Sequence, residues 1–270
     1  MAKQVLKNHD LAFSTRFIPD ALQAHNYCKF SAAWLPVCPQ WRMLRKVLNT
    51  KPLSTNRLDA NQHLRSQKAK QLIDYCEKCS QQGKGVDVEI LGQPEIMKKV
   101  QVELAEVVGK GKPIEEVDVS RLPYLQFIIK ETLRLHPPAP FLIPRRVDQD
   151  VELCDYIIPK GSLVLVNAWA IGRDPSFWDD ALVFKPERFQ SLELDMRGKD
   201  FEMIPFGAGR RTCPVFPLAL RLMPAILGSM LNSFNWKLEA CIEPKDLDME
   251  EKFGVILGKA HPLQAIPSPL

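Results

Sequence analysis

The sequence predicts a mainly α chain of the α+β class, in which helices are combined with small β-sheets. The first observation is a series of segments with apolar residues at helical spacing, several of them bounded by a proline or a glycine. The second is a group of short strand-like runs in the middle and at the end of the chain. We find no internal repeat and no low-complexity tract. This pattern is typical of helices packed with small antiparallel sheets.

Six helices are predicted from the spacing of apolar residues and from capping signals. In chain order they are Ala2–Asn8, Trp41–Leu48, a longer helix capped by Asp59 that ends near Gly83, a helix from Pro94 to Gly109, Arg121–Leu135 capped by Ser120, and Leu218–Leu231. The apolar positions of the third helix predict one buried face, formed by Leu64, Leu72, Ile73 and Cys76.

Strands are predicted after the fifth helix and at the end of the chain. The runs are Phe141–Val147, Val151–Leu153 and Leu163–Asn167, the last two flanking a turn at Pro159-Lys160-Gly161, and a closing hairpin of Phe253–Leu257 with Leu263–Ile266.

Composition excludes several classes of protein. The formal net charge of +4 is too small to indicate nucleic-acid binding. The seven cysteines are an odd number without regular spacing, which argues against a disulfide framework. Cys76 and Cys79 form a C-x-x-C, but a second ligand pair at zinc spacing is missing, so packing is favoured over a metal or redox role. No run of 18 apolar residues predicts a membrane span; the best candidate, Leu218–Leu231, is broken by Arg221 and Pro224.

One cysteine lies in a context that favours metal ligation. Cys213 follows a glycine-bearing loop, Phe206-Gly-Ala-Gly-Arg-Arg-Thr-Cys213-Pro214, and precedes a Pro-initiated apolar helix. The unpaired amides and the dipole at a helix N-terminus stabilise a thiolate, and a thiolate can ligate haem iron. Gly207 and Gly209 allow a tight turn and close approach to a flat cofactor. The alternative is that Cys213 is a small buried hydrophobe.

Two further motifs occur with this loop. Glu131-Thr-Leu-Arg134 lies on a predicted helix, and Pro186-Glu187-Arg188-Phe189 follows it. Glu131 and Arg134 are spaced i, i+3, so a solvated pair on a helix surface is one interpretation. A buried network is favoured, because the surrounding helix is apolar on most sides.

Together these three motifs resemble those of the haem-thiolate monooxygenases, the cytochrome P450 family. The chain is similar in particular to plant monoterpenoid hydroxylases of the geraniol 8-hydroxylase kind. Strings that carry this resemblance include Leu58-Asp-Ala-Asn-Gln-His-Leu64, Lys130-Glu-Thr-Leu-Arg-Leu-His-Pro-Pro-Ala-Pro-Phe141, Val166-Asn-Ala-Trp-Ala-Ile-Gly-Arg-Asp174 and Asp248-Met-Glu-Glu-Lys-Phe-Gly254. The resemblance implies a partial P450 fold in two blocks, an N-terminal fragment at 1–90 and a C-terminal haem-binding half at 91–270.

The resemblance also implies site residues and a cofactor, haem b. Cys213 would be the iron ligand, and Phe206 and Gly209 belong to its loop. A buried network of Glu131, Arg134 and Arg188 would brace that loop from the proximal side. The propionate anchors would be Trp41, Arg45, Arg145 and Arg211, with core packing as a compatible alternative for Trp41. Arg42 and Lys46 match positions that face a reductase, although a solvated basic face is the default interpretation.

The two blocks meet near Val88–Leu91, where family members carry a long stretch that includes an A-G-x-D-T type motif on the distal helix. The chain shows no such motif, and its nearest acid–hydroxyl pair, Glu131-Thr132, belongs to the proximal helix. No catalytic residue is therefore assigned. Two departures from the family pattern predict strain: Val215 stands where the family has glycine, and Pro224 lies inside the helix after the cysteine.

Three functions follow from the resemblance. The first is a monooxygenase that hydroxylates a small apolar substrate such as a monoterpenoid, with electrons from NADPH–cytochrome P450 reductase. Its substrate would contact Ala24–Trp34, Pro140–Ile143 and the turn at Val255–Ile256. The second is a haem-binding fragment without hydroxylation, and the third is a non-functional remnant. The family implies the endoplasmic reticulum membrane; without a visible anchor, peripheral association or a cytoplasmic location is the alternative.

Overall fold

A computed structural model describes residues 1–82, 86–87, 93–238, 248, 250–252, 254, 256–261 and 264–270. Within these residues helices predominate over short strands, which confirms the predicted fold class. None of the helices in this described part is both long enough and apolar enough to cross a bilayer.

The helices follow the predicted order. Those of the described residues are α1 (Pro39–Thr50), α2 (Thr55–Ala60), α3 (Gln62–Gln82), α4 (Pro94–Val107), α5 (Pro123–Leu135), α6 (Ala168–Ile171) and α7 (Phe216–Ser233). A π-helix spans Gln4–Asn8, and 3-10 turns span Asp20–Leu22, Ala24–Lys29, Asp118–Arg121, Pro186–Gln190 and Gly209–Arg211. The π-helix lies within the predicted segment Ala2–Asn8.

Two predicted helix caps are wrong. Asp59 lies inside α2, because the break between α2 and α3 comes at Asn61. Ser120 lies in a 3-10 turn, where its hydroxyl donates to the Val117 carbonyl, and α5 begins two residues after that turn, at Pro123. In both places the chain makes an additional short turn before the long helix begins.

The buried face of α3 is shifted towards its C-terminal end. Leu64 is exposed, whereas Cys76 and Cys79 are buried and Leu72 and Ile73 pack against them. The first turns of α3 therefore lie outside the core. Gly83, where the helix was predicted to end, is outside the described residues.

The strands are short and antiparallel. They are β1 (Thr15–Arg16), β2 (Val86–Asp87), β3 (Arg145–Arg146), β4 (Val151–Leu153), β5 (Tyr156–Ile158), β6 (Leu163–Val164), β7 (Phe234–Leu238), β8 (Glu251–Lys252), β9 (Gly258–Lys259) and β10 (Gln264–Pro269). The described sheets have the strand orders β1-β3-β6, β2-β10-β7, β4-β5 and β8-β9.

The predicted pairing of the strands is corrected in two places. The run Val151–Leu153 pairs with β5 across a turn at Cys154 and Asp155, both with positive φ, while β6 pairs with β3. The closing hairpin is formed by β8 with β9, and β10 instead pairs with β7 and β2. Residues 253, 255 and 263 of the predicted hairpin lie outside the described residues.

Three hydrophobic clusters hold the described parts of the chain together. The largest packs α4, α5 and α7 around Leu104, Leu125 and Leu231 and includes Trp178. A second joins Val5, Leu6 and Phe13 to the strands around residue 151. The third joins Cys76 and Cys79 of α3 to β7 and β10. The second and third clusters each combine residues before 82 with residues after 93.

Candidate functional site

The loop before Cys213 is a tight turn that two glycines make possible. Gly207 and Gly209 have φ values of 70° and 67°, in the left-handed region that other residues adopt at a cost. The Cys213 amide donates to the Phe206 carbonyl at 3.0 Å and closes the loop. The Phe206 ring packs edge-on against Phe216, with centroids 4.9 Å apart, and so ties the loop to the first turn of α7.

Gly209 is also required by space. A Cβ atom at this position would lie far inside van der Waals contact of the Leu6 carbonyl oxygen. Leu6 is fully buried in the N-terminal π-helix. The loop therefore packs backbone to backbone against the start of the chain.

Cys213 lies three residues before α7, at the end that the sequence predicts. The proline in the first turn of the helix is Pro217, not Pro214, because α7 begins at Phe216. The Phe216 amide lies 3.4 Å from the Cys213 carbonyl, and the cysteine is half-buried. The side chain thus stands between the glycine loop and the helix N-terminus.

The two predicted sources of strain near Cys213 differ in outcome. Val215 has φ −85° and ψ −1°, a right-handed conformation that a β-branched residue adopts, so the expected strain from the missing glycine is absent. Pro224 does lie inside α7, and the helix continues past it to Ser233.

Glu131, Arg134 and Arg188 form a buried ionic network. Arg134 binds Glu131 with two parallel bonds, Nε to Oε2 at 2.7 Å and Nη2 to Oε1 at 2.8 Å. Arg188 Nε reaches Glu131 Oε1 at 3.1 Å, and the Lys185 amide donates to the same oxygen at 2.8 Å. The Glu131 and Arg134 side chains have no exposed surface, so this pair is not a solvated pair on a helix surface.

The remaining donors of this network are also used. Arg134 Nη1 donates to the carbonyls of Gly172 and Ala181, at 2.5 and 2.7 Å. Arg188 Nη1 donates to the Asp179 carbonyl at 2.7 Å. Both guanidiniums lie over the buried Trp178 ring, at 5.1 Å for Arg134 and 5.9 Å for Arg188. A buried ion pair is stabilising only when such additional hydrogen bonds are made, and here they are.

A second group of charges differs from the first in composition. Arg45, Arg145 and Arg211, the predicted propionate anchors, lie near one another, and their side-chain hydrogen bonds run to backbone carbonyls. Arg45 donates to Thr212 at 2.9 Å and Arg145 to Phe13 at 2.8 Å. Arg211 donates to Ser14 at 2.9 Å and to Leu35 at 2.5 Å. The bond from Arg45 places this group beside Cys213, whose sulfur opposes the lowering of the Arg45 pKa by burial.

Arg16 is a fourth member, which the sequence analysis missed. It is 7% exposed and donates to the Ile143 carbonyl at 2.7 Å. Its strand, β1, pairs with β3 so that Arg16 lies opposite Arg145. The sequence signal that could have found it is an arginine between two apolar runs, in Phe13-Ser-Thr-Arg16-Phe17, where an isolated cation is costly to bury. We call Arg16, Arg45, Arg145 and Arg211 the arginine cluster.

The arginine cluster has unsatisfied donors and unbalanced charge. Arg16 Nε, Arg145 Nε and Arg211 Nη1 are buried without a hydrogen-bond partner. Burial, reinforced by Arg145 and Arg211, lowers the pKa of Arg16 to about 9. Burial also lowers the pKa values of Arg145 and Arg211, each to about 10. Cations that repel one another and keep donors unused form a site for an anion.

The Trp41 ring packs against the arginine cluster. Its ring is buried, its Nε1 donates to the Ala32 carbonyl at 3.0 Å, and the Arg211 guanidinium lies 4.6 Å from the ring centroid. The core-packing interpretation of Trp41 therefore describes its position, and its contact with Arg211 orients one member of the cluster.

The residues present fit haem b by this test of unused donors. Haem carries two propionate carboxylates, for which the arginine cluster would supply cations with vacant N–H groups, and an iron, for which Cys213 would supply a sulfur ligand. Arginine is well suited to this role because its planar fork binds a carboxylate with two parallel bonds.

Other predicted positions lie outside this site. Arg42 and Lys46 are exposed on α1, as expected for either a docking or a solvated face. Cys76 and Cys79 are buried in a hydrophobic cluster, and burial raises the pKa of Cys76 to about 11, which favours the neutral thiol of a packing residue.

The predicted substrate-facing segments are only partly described. In Pro140–Ile143, Leu142 adopts φ 52°, a strained value for a leucine, and its side chain lies beside Gly207. In Ala24–Trp34, Phe30 is largely exposed, and the side chain of Ala24 is outside the described residues. Ile256 is 73% exposed, and Val255 is outside the described residues.

The sequence and the fold of this chain are similar to those of known cytochromes P450. A sequence profile of the cytochrome P450 family matches residues 88–263. Geraniol 8-hydroxylase from Catharanthus roseus is 44% identical over the whole chain and 84% of its own length. Geraniol 8-hydroxylase from Swertia mussotii is 42% identical over the whole chain and 83% of its length. Among solved structures, a zebra fish cytochrome P450 with progesterone is 34% identical with a TM-score of 0.55, covering 65% of this chain and 38% of the other.

The alignment with the Catharanthus protein is longer than this chain. It runs over 412 positions, 142 more than the 270 residues of this chain, so at least that many positions of the alignment face no residue here. The matched blocks nevertheless include the cysteine loop and the ionic network. On the profile match and on the identity across its full length, the chain belongs to the cytochrome P450 family of haem-thiolate monooxygenases.

Proposed function

We propose that the chain holds haem b with Cys213 as the iron ligand and with the arginine cluster at the propionates. The observation that carries this proposal is the set of unused donors on Arg16, Arg145 and Arg211, next to the glycine-bearing loop of Cys213. Glu131, Arg134 and Arg188 would support this loop from behind as a rigid block. When bound, haem with a thiolate ligand supplies oxygen activation for insertion into C–H bonds.

We further propose that the substrate is a small apolar molecule such as a monoterpenoid. Two relatives, each more than 40% identical over the whole chain, are named for the hydroxylation of geraniol. Apolar residues of Pro140–Ile143 and the exposed Ile256 would offer such a molecule contact surface without polar selectivity. Members of this family generally take electrons from NADPH–cytochrome P450 reductase, and the exposed Arg42 and Lys46 on α1 would contribute to its docking face.

The first experiment is the absorption spectrum of the purified chain, loaded with haemin, reduced and exposed to carbon monoxide. A strongly red-shifted Soret band is expected, because it is the spectroscopic signature of reduced haem that has a thiolate ligand and binds carbon monoxide. Cys213→Ala should abolish that band, and Cys154→Ser, at an exposed cysteine in the β4–β5 turn, should leave it unchanged. An unshifted band in the unchanged chain would contradict the proposal.

A second candidate function is haem binding without controlled hydroxylation. It is favoured by the 142 alignment positions that have no counterpart here, since the relatives' oxygen-activating helix is expected in that stretch. A reductase-coupled assay with geraniol separates the two candidates. Hydroxylated geraniol in proportion to NADPH consumed supports the monooxygenase. The haem-binding fragment is supported by a red-shifted carbon monoxide band together with oxidation of NADPH that only reduces dioxygen to peroxide. A chain that binds no haemin at all would be the non-functional remnant.

Two expectations from the sequence stay predictions. The division into blocks 1–90 and 91–270 has its boundary among residues outside the described part of the chain. The location at the endoplasmic reticulum membrane follows from the family alone, and peripheral binding or a cytoplasmic location would be distinguished by cell fractionation.

A further inference from the structure

The Glu251 carboxylate contacts three side chains that belong to different parts of the fold. His136 Nδ1, at the C-terminal cap of α5, lies 3.0 Å from Glu251 Oε1. Trp169 Nε1, in α6, donates to Oε2 at 3.1 Å. Arg173 Nη2, just after α6, lies 3.7 Å from Oε1. One carboxylate thus joins the end of α5, the short helix α6 and the C-terminal β8–β9 hairpin.

The partners of Glu251 are themselves held in place. The Arg173 guanidinium stacks on the Trp169 ring at 3.9 Å, and its side chain is 11% exposed. Arg173 is therefore a nearly buried cation for which Glu251 is the acid in reach, and this pairing opposes the lowering of the Arg173 pKa by burial. An ion pair with restricted side chains is stronger than an exposed one, because less conformational entropy is lost when it forms.

The hairpin that carries Glu251 has a second attachment. Glu251 pairs with Lys259 and Lys252 with Gly258. Beyond the pairing, the Leu257 amide donates to the Pro138 carbonyl at 2.8 Å. The hairpin is thereby held by the side-chain contacts of Glu251 and by the backbone bond at Leu257. We call the contacts of Glu251 with His136, Trp169 and Arg173 the clamp.

The clamp is also connected to the buried ionic network, through Gly172 and Arg173. Gly172 precedes Arg173, and its carbonyl accepts from Arg134 Nη1. A Cβ atom at Gly172 would collide with the Arg134 carbonyl oxygen, so α6 ends in close backbone contact with α5. The same short stretch, 172–173, touches Arg134 on one side and Glu251 on the other.

We propose that Glu251 is a positioning residue that fixes the β8–β9 hairpin to the ends of α5 and α6 and so sets where Ile256, in the turn of this hairpin, stands beside the bound substrate. The proposal rests on the proposed function in one respect, the placement of this turn at the substrate. The clamp itself needs neither haem nor substrate.

The test uses the full chain with Glu251→Ala, Glu251→Gln and the control Glu250→Gln, whose carboxylate is exposed near Asp248 and His261 instead of α5 and α6. The first measurement is the rate of tryptic cleavage after Lys252 in the haem-free chain. Glu251→Ala should raise this rate roughly tenfold, as expected for the loss of charge-assisted bonds. Glu251→Gln, which can keep the bond from Trp169, should raise it less, and the control should match the unchanged chain.

The second measurement is the geraniol-induced absorption change of the haem-loaded chain. Glu251→Ala should weaken the apparent affinity for geraniol while leaving the carbon monoxide band unchanged, whereas general unfolding would diminish that band. Equal cleavage after Lys252 in all variants would overturn the clamp. Faster cleavage with unaltered geraniol affinity would overturn its role in positioning. If the unchanged chain gives no red-shifted band, the proposed function fails while the cleavage rates still decide the clamp.

Discussion

Two groups of buried arginines in this chain are built on opposite principles. In the network of Glu131, Arg134 and Arg188, the cations meet a carboxylate and several carbonyls, so the group is satisfied within the protein. In the arginine cluster, the hydrogen bonds of the cations run to backbone carbonyls, the cations repel one another, and some of their donors stay unused. The first group has what it needs to serve as a structural support. The second would be completed by a bound anion, as the proposed function requires.

The substitution with the largest expected effect removes the carboxylate of Glu131 from the ionic network. Glu131→Gln should lower the free energy of unfolding by about 3–5 kcal/mol, because it leaves two buried guanidiniums without their carboxylate. The loss should be similar with and without haemin, as measured by urea denaturation followed by circular dichroism. Glu187→Gln, at a half-buried glutamate of the neighbouring motif that accepts from Lys99 and Tyr124, is the control for a change of charge alone. A loss that appears only with haemin would assign Glu131 to the cofactor instead of the scaffold.

Removing an arginine from the cluster should affect the two states of the chain unequally. Arg145→Met should weaken haemin binding by roughly 10- to 100-fold, the value of charge-assisted bonds to a carboxylate. The stability of the haem-free chain should fall much less, because the same substitution relieves the repulsion of Arg145 with Arg16 and Arg211. Arg146→Met, at the next and exposed residue of β3, should leave haemin binding unchanged. Equal haemin affinity for the two variants, measured by titration of the Soret absorbance, would contradict the assignment of the cluster.

The smallest effect is a dependence of stability on alkaline pH. The pKa of Arg16 is about 9 in the folded chain against the usual 12.5, so below about pH 9 the destabilising charge is present in full. Above that pH the folded state loses a proton that the unfolded state keeps, and stability rises with pH. Between about pH 8 and pH 10.5 only part of this rise is reached.

The measurement compares the urea midpoint of the haem-free chain with that of Arg16→Met across this pH range. The buried Cys76 thiol contributes in the opposite direction in both proteins, so it cancels in the difference. The unchanged chain should show the larger rise, and haemin should remove it. Parallel pH profiles for the two proteins would mean that Arg16 is not destabilising when charged.

Local patterns predicted the geometry of the cysteine loop and of the Glu131–Arg134 pair, whereas Arg45, Arg145 and Arg211 were expected only from the family resemblance. The glycines at 207 and 209 and the i, i+3 spacing of Glu131 and Arg134 each indicate a geometry within a few residues. Arg16 was missed because its role depends on a partner strand, β3, that lies far along the chain. A single arginine gives no local sign that three others will lie nearby.

The fold, like the site, could be predicted where a local pattern determines the structure. Helices such as α1, α4 and α5 follow from periodicity, whereas Asp59 and Ser120 were wrong as caps because a capping residue type does not exclude an additional turn. The pairing of β10 with β7 and β2 was missed for a different reason. Short strands carry the same pattern whatever their partner, and only packing against α3 and α7 selects it.

The contact between Gly209 and Leu6 limits which substitutions this loop can accept during evolution. Since the obstacle is a main-chain oxygen, no exchange of the side chain at position 6 could rescue an alanine at 209. A suppressor would have to displace an entire helical turn together with the hydrophobic cluster behind it. The glycine is thus locked to the opening residues by shape as well as by its own backbone angle, and the two demands leave it without a substitute.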